Sequence, residues 1–142
     1  MSGAPIHGAS LTFRGKYQVA VDGIFTVEEP VLGEVRVGDL LKICGDFQVC
    51  RTTAAQENVL GAAAHSARHG EKVSVVVVGL VRLRAGGTVP FGGYIVSGLD
   101  ALNPGTAIVP VGGGSHLDNV VGRSLEAATV GKRFWALLGT SR

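Results

Sequence analysis

Charge is scarce in this chain. Only 17% of its 142 residues are Asp, Glu, Lys or Arg, against about a quarter in an ordinary soluble domain. The 13 basic and 11 acidic residues are scattered and leave a formal net charge of +2, with Lys132-Arg133 as the longest basic feature. Nucleic-acid binding by counterion release needs a denser cationic surface, so no nucleic-acid partner is expected. No apolar run, Val75 to Val78 included, approaches the ~20 residues that a membrane helix requires, and no membrane partner is expected either. The first nine residues, MSGAPIHGA, lack the basic and apolar regions of a secretory signal, which makes cytosolic synthesis the expectation. Cysteine is limited to Cys44 and Cys50, too few for a disulfide framework.

Glycine is plentiful. There are 22 glycines, about twice the usual share, and they follow no three-residue period, which excludes collagen. The hydrophobic fraction of 46% is that of a chain able to bury a core, and the length suits a single domain.

Residues 1–10 are uncharged and rich in Gly, Ala and Ser, without a periodic apolar face, and read as an extended N-terminal arm. From Leu11 the apolar residues fall at every second position: Leu11 and Phe13, then Tyr17, Val19 and Val21. That is strand period. Glu28-Glu29-Pro30 ends this stretch, since proline removes a ladder donor. Leu40-Leu-Lys-Ile-Cys44 and Phe47-Gln-Val-Cys50 read as a hairpin around a Gly45-Asp46 turn, pairing Cys44 with Phe47 and Leu41 with Cys50. In that register the two thiols point to opposite faces, and free cysteines are expected rather than a bridge.

A weak internal repeat relates residues 35–84 to 89–139. Val35-Arg-Val-Gly-Asp-Leu-Leu41 matches Val89-Pro-Phe-Gly-Gly-Tyr-Ile95, 54 residues on. Val59-Leu-Gly-Ala62 matches Val120-Val-Gly-Arg123, and Gly70 to Val77 matches Gly131 to Leu138, both 61 residues on. The difference places extra residues between Val109 and Asn119, around the flexible Gly112-Gly-Gly-Ser115 stretch. Thr53 to Arg68 has helix signals, a Thr suited to an N-cap and good helix formers. Yet Gly61 interrupts it and its second copy looks strand-like, which favours a strand through Val59 to Ala64 and leaves a helical turn open on either side. Lys72 to Arg84 begins as a continuous apolar run, suited to burial on both faces. It then alternates Val81 and Leu83 with Arg82 and Arg84, as a strand emerging to solvent does. About ten short strands with glycine turns make the expected fold class all-β, a small barrel or sandwich-like domain over residues 11–142.

Chemistry is harder to find. His65 and His69 have the four-residue spacing of a helical zinc pair but lack the accompanying Glu, and on a turn the spacing has no meaning. Gly112 to Ser115 is followed by neither the Lys nor the helix of a phosphate loop. No Gly-x-Ser-x-Gly elbow is present, and the neighbours Glu28 and Glu29 face opposite ways on a strand. No catalytic residue, cofactor or metal is assigned, and function is expected in surfaces.

The order Val37-Gly-Asp-Leu40, Val59-Leu-Gly-Ala-Ala63, Gly70-Glu-Lys-Val73, Val121-Gly-Arg-Ser-Leu-Glu-Ala-Ala128 and Phe134-Trp-Ala-Leu-Leu138 resembles the tailed-phage capsid cement, or head decoration, family. The likeness spans about residues 30–138. It departs from the family pattern at Val37, where Ala is common, at Gly92-Gly93, which lacks the Asp, and in the Gly112–Ser115 and Arg82–Arg84 stretches. The resemblance implies a non-enzymatic virion protein, made in the host cytoplasm, that assembles commonly as a homotrimer on the exterior of the expanded head. There it would bind the major capsid protein and stabilise the shell. The expected contact residues are Ile6, Leu11 and Phe13 of the arm region, with Tyr17 and Trp135. The competing expectation is a β-sandwich module for carbohydrate or a host surface, with Trp135, Tyr17 and Tyr94 as the candidate aromatics.

Overall fold

The computed structural model describes residues 10–13, 18–28, 34–54, 57–98, 105–108 and 119–139. These contain no helix. The strands are β1 (Ser10–Phe13), β2 (Gln18–Val27), β3 (Glu34–Val35), β4 (Leu40–Gly45), β5 (Gln48–Arg51), β6 (Val59–Ala63), β7 (Ala67–Arg68), β8 (Lys72–Arg84), β9 (Tyr94–Ser97), β10 (Ala107–Ile108), β11 (Gly122–Ser124) and β12 (Arg133–Leu138).

Strand pairing turns the repeat into two small barrels that share one strand. In the first, β2 pairs with β5 in parallel, and β5–β4, β4–β6, β6–β8 and β8–β2 are antiparallel, so the ring closes. In the second, β8–β12, β12–β11, β11–β9 and β9–β10 are antiparallel, and a parallel bridge from Ala85 to Ala107 returns to the end of β8. Closure pairs edge strands that would otherwise be left open. β8 closes the first barrel with its N-terminal half and opens the second with its C-terminal half. Gly79, at φ 121°, lies between the halves, in a region that L side chains avoid.

The two copies match in register residue by residue. Leu41 faces Gly61 as Ile95 faces Gly122, and Ala63 faces Val75 as Ser124 faces Ala136. Val35 pairs with Ala67 as Val89 bridges to Ala128. The turn amides agree too: Gly38 donates to the Ala63 carbonyl and Gly92 to that of Ser124, both at 2.8 Å. Gly38 and Gly92, like Gly70 and Gly131, have positive φ, which is why glycine recurs at these turns.

Each interior is a cluster of buried side chains. Val27, Val35, Leu41, Val49, Ala63, Ala67, Val73 and Val75 fill the first barrel. Ala85, Val89, Ile95, Ala107, Phe134 and Ala136 occupy the matching positions of the second, with half-buried Ala128 packed against them. Where the second copy shrinks Val27 to Ala85, Val49 to Ala107 and Val75 to Ala136, it enlarges Val73 to Phe134, which makes up part of the lost volume. Full burial of each Val, Leu, Ile or Phe contributes about 1.5–3 kcal/mol.

Several expectations require correction. The β4–β5 hairpin pairs Lys42 with Cys50 and Ile43 with Val49, turning at Asp46-Phe47 with a register shift after Ile43. This is one residue away from the expected pairing, and a one-residue slip moves every side chain to the other face. Cys44 and Cys50 therefore share a face, and they form a disulfide across 6.0 Å between Cα atoms. The segment 53–68 forms β6 and β7 and no helical turn among its described residues, because Gly61 lies against the backbone of β8. Ser10, assigned to the arm, belongs to β1, which pairs with β2. The rest of the arm, with Ile6, and also Tyr17 and the Gly112–Ser115 stretch, lie outside the described residues.

Candidate contact surface on the second barrel

The strand register decides which side chains share the outer face of the second barrel. Arg82 of β8 is opposite Trp135 of β12, and Arg84 is opposite Arg133. Leu137, two residues on from Trp135, is opposite Arg123 of β11, which is opposite Tyr94 of β9. Cross-strand partners point the same way, so these residues form one stripe across four strands. Sequence alternation around Arg82 and Arg84 anticipates its edge, whereas its continuity across β9 and β11 is visible only once the strands are paired.

The stripe is ordered by its own contacts. The Arg82 guanidinium lies 5.7 Å from the Trp135 ring centroid, and the Arg123 guanidinium 4.9 Å from that of Tyr94. Arg123 also donates to the Gly92 carbonyl, through Nε at 3.3 Å and Nη2 at 3.0 Å. Arg133 Nη1 donates to the Val37 carbonyl at 3.4 Å. Trp135 and Tyr94 remain 44% and 43% exposed, and Phe91, on the adjoining Gly92 turn, is 78% exposed. The expected contact residue Trp135 is thus on the solvent side of β12 rather than in the core. Leu11 and Phe13 lie on β1, away from this face in the strand order.

A cleft of about 400 Å³ borders the stripe where the Val37-Gly38 turn of the first barrel meets β8 and β12, lined by Gln18, Val37, Arg82, Arg133 and Trp135 among others. Asp39 anchors that turn. Its carboxylate accepts the Arg36 amide at 2.9 Å and lies 3.4 Å from Arg84. Burial nevertheless holds its pKa above the ordinary carboxylate value, outweighing the Arg36 amide and the charges of Arg84, Arg51 and Arg36 that pull it down. The seam between barrels is closed further by Ser97 of β9, which accepts the Glu57 amide and donates to the Ala54 carbonyl.

Glu57 is a second anchor. Burial pushes its pKa up, but the Lys42 ammonium at 2.7 Å and the amides of Thr53 and Ala54 outweigh it and leave the pKa below the ordinary value. Neither carboxylate has a nucleophile or second acid within this set of contacts, and both serve as structural hydrogen-bond acceptors. His65 accepts the Ser74 amide through Nε2 and donates from Nδ1 to the Ser66 carbonyl, while His69 lies 3.8 Å from Glu28. The turn that carries them separates the two rings into different roles. No group of three or more His, Cys, Asp or Glu suited to a metal ion occurs among the described residues.

Comparison with known proteins bears on the fold. No protein-family model and no curated protein matches the chain. Among solved structures it is similar to the head fibre gp8.5 N base of bacteriophage phi29, at 20% identity and a TM-score of 0.60, over 88% of this chain and 97% of that one. The chain thus has the fold of a phage head-fibre base.

Proposed function

We propose that the chain is a non-catalytic structural protein of a tailed-phage virion, which binds the exterior of the expanded head and stabilises it. The observation that carries this reading is the fold shared with a head-fibre base over almost the whole of both chains. The order of turn and strand motifs, which resembles head decoration proteins, supports it independently. The partner on this reading is the major capsid protein, and the protein acts as a homotrimer. A protein that binds only the mature lattice stabilises it by mass action, and many copies on one shell add their contributions.

The test adds purified protein to expanded heads that lack it and follows binding together with heat-induced DNA release. Saturable binding with a higher release temperature is the expected result; absence of both overturns the reading. Light scattering checks the trimer, which a monomeric mass on and off the shell would overturn. Deleting residues 1–9, which include Ile6 and leave β1 whole, is expected to weaken shell binding while the melting temperature stays unchanged. The half-exposed Trp135 and Tyr94 favour a second reading, a carbohydrate- or host-surface-binding module, for which selective signals on a glycan array would speak.

A further inference from the structure

We propose that the stripe of Arg82, Trp135, Arg123 and Tyr94 is a docking face for a carboxylate-rich protein surface, one that presents Asp and Glu side chains to the guanidinium forks. This names the partner chemistry within the head-binding reading and rests on that reading for the identity of the partner.

The first argument is charge. Arg82, Arg123 and Arg133 have no carboxylate within ion-pair distance among the described residues, whereas Arg84 is paired with Asp39. The carboxylate of Glu126, in the chain just after β11, accepts the Trp135 amide at 2.8 Å instead. Three guanidinium groups thus share one face, and the complement to that face is anionic.

The second argument is which anion. Both aromatic rings already carry a guanidinium over one face, at 5.7 and 4.9 Å. The ring contact takes up ring surface that a pyranose platform or a nucleobase would use and holds each guanidinium in place; Arg123 is held further by its Nε and Nη2 bonds to the Gly92 carbonyl, which leave Nη1 to meet a partner. A fixed, planar fork binds carboxylates in bidentate fashion and loses little side-chain entropy in doing so. Trp, Tyr and Arg are the residues that dominate protein interfaces.

The third argument is position. The matching face of the first barrel, Leu40, Ala62 and Val76, is at most 1% exposed and joins the cluster that contains the second barrel's interior. The same face of the fold is therefore already an interface once in this molecule. In its second copy it carries exposed aromatics and arginines in place of small apolar residues.

The experiment titrates the full chain with a labelled oligoglutamate decamer, a heparin hexasaccharide and a thymidine decamer at two salt concentrations. In parallel, wild type, R82E/R133E, R123E and K72E are measured on expanded heads, with circular dichroism and melting temperature as checks of folding. K72E alters the first-barrel equivalent of Arg133 and serves as the control.

The expected result is salt-sensitive binding of oligoglutamate in preference to the other two probes. R82E/R133E and R123E should lose about tenfold or more in affinity for both oligoglutamate and heads, with K72E within about twofold of wild type. Tighter binding of heparin or thymidine decamer than of oligoglutamate overturns the proposal, as does reversal without effect on oligoglutamate binding. Wild-type binding to heads that survives all reversals overturns this inference and leaves the head-binding reading standing. Binding of oligoglutamate without binding of heads does the opposite.

Discussion

In the first barrel the outer face of β4, β6 and β8 is made of Leu40, Ala62 and Val76, and the second barrel seals it. In the second barrel the matching residues are Tyr94, Arg123 and Leu137, of which Tyr94 and Arg123 are exposed and Leu137 is half-buried. The glycine turns diverge in the same way. Gly38 is so close to β8 that a Cβ there would meet the Arg82 carbonyl at 2.5 Å, whereas a Cβ at Gly92 would meet only an arginine tip at 3.9 Å. Asp39 beside the first turn reaches Arg84, and its counterpart Gly93 has no acid to offer. One backbone register thus supports two surface chemistries: the copy whose face is covered uses small and apolar side chains, and the copy whose face is open uses large ones that need a partner.

The strictest test of the shared register is at Gly61 and Gly122. A Cβ at either would fall 2.2 or 2.0 Å from the carbonyl of the facing strand, at Val76 and Leu137 respectively. Neither backbone can yield without breaking its ladder. G61A and G122A are each expected to destabilise the protein by about 3 kcal/mol or more, as overpacking against a rigid wall does. Their equivalents at open turns, G70A and G131A, meet nothing within 4 Å and bear only the positive-φ cost, about 1 kcal/mol. Denaturant unfolding of the four variants checks the contrast, and similar losses in all four would break it.

Core volume comes next. F134V, which gives the second barrel the first barrel's residue, is expected to cost about 2–4 kcal/mol by leaving a cavity. A107V alone overpacks by about 1–3 kcal/mol. If the interiors trade volume as their equivalence indicates, the double variant is more stable than the sum of the two losses, with a coupling of about 1 kcal/mol or more. Additive losses in urea unfolding would show that the enlarged Phe does not answer the smaller Ala.

The β4–β5 hairpin carries a staple that the β9–β10 hairpin lacks, since Gly98 and Ile108 stand where Cys44 and Cys50 do. Serine at both cysteines is expected to lower stability by about 2 kcal/mol, the chain-entropy value for so short a loop. Thermal melts under reducing and non-reducing conditions check this: the reductant should lower the wild-type melting temperature and leave the double-serine variant unmoved.

The smallest effect is electrostatic. Because the Glu57 pKa is lowered on folding, its contribution is present above the ordinary glutamate range and is lost as pH falls through it. Asp39 has the opposite sign: its raised pKa favours the protonated folded form, and its contribution is lost as pH rises through the carboxylate range. E57Q should remove about 1 kcal/mol at neutral pH and flatten the decline in stability on acidification. Unfolding free energies followed from neutral to acidic pH decide whether that slope belongs to Glu57.

Much of the architecture was legible before any coordinates. Alternation at Val19 and Val21, the glycine punctuation, and the matched Val35–Leu41 and Val89–Ile95 segments contain the all-β class and the repeat. The register of the hairpin at Cys44 is not legible in the sequence, because a turn shifted by one residue leaves composition and alternation almost unchanged while exchanging the faces. The aromatic and arginine stripe was seen only in fragments. Its members come from β8, β9, β11 and β12, separated in sequence and adjacent only through antiparallel ladders.

The division has a physical basis. Local periodicity and the need for glycine at positive φ are properties of a few consecutive residues, so the sequence by itself determined the strands, the turns and the twofold repetition. Which copy of a repeated face is covered and which is open depends on how β8 passes from one barrel to the next at Gly79, with residues far apart in the chain brought together by closure. Only the tertiary structure decided that Leu40 is core, that Tyr94 is surface, and that Trp135 stands beside Arg82 on a face still available to a partner.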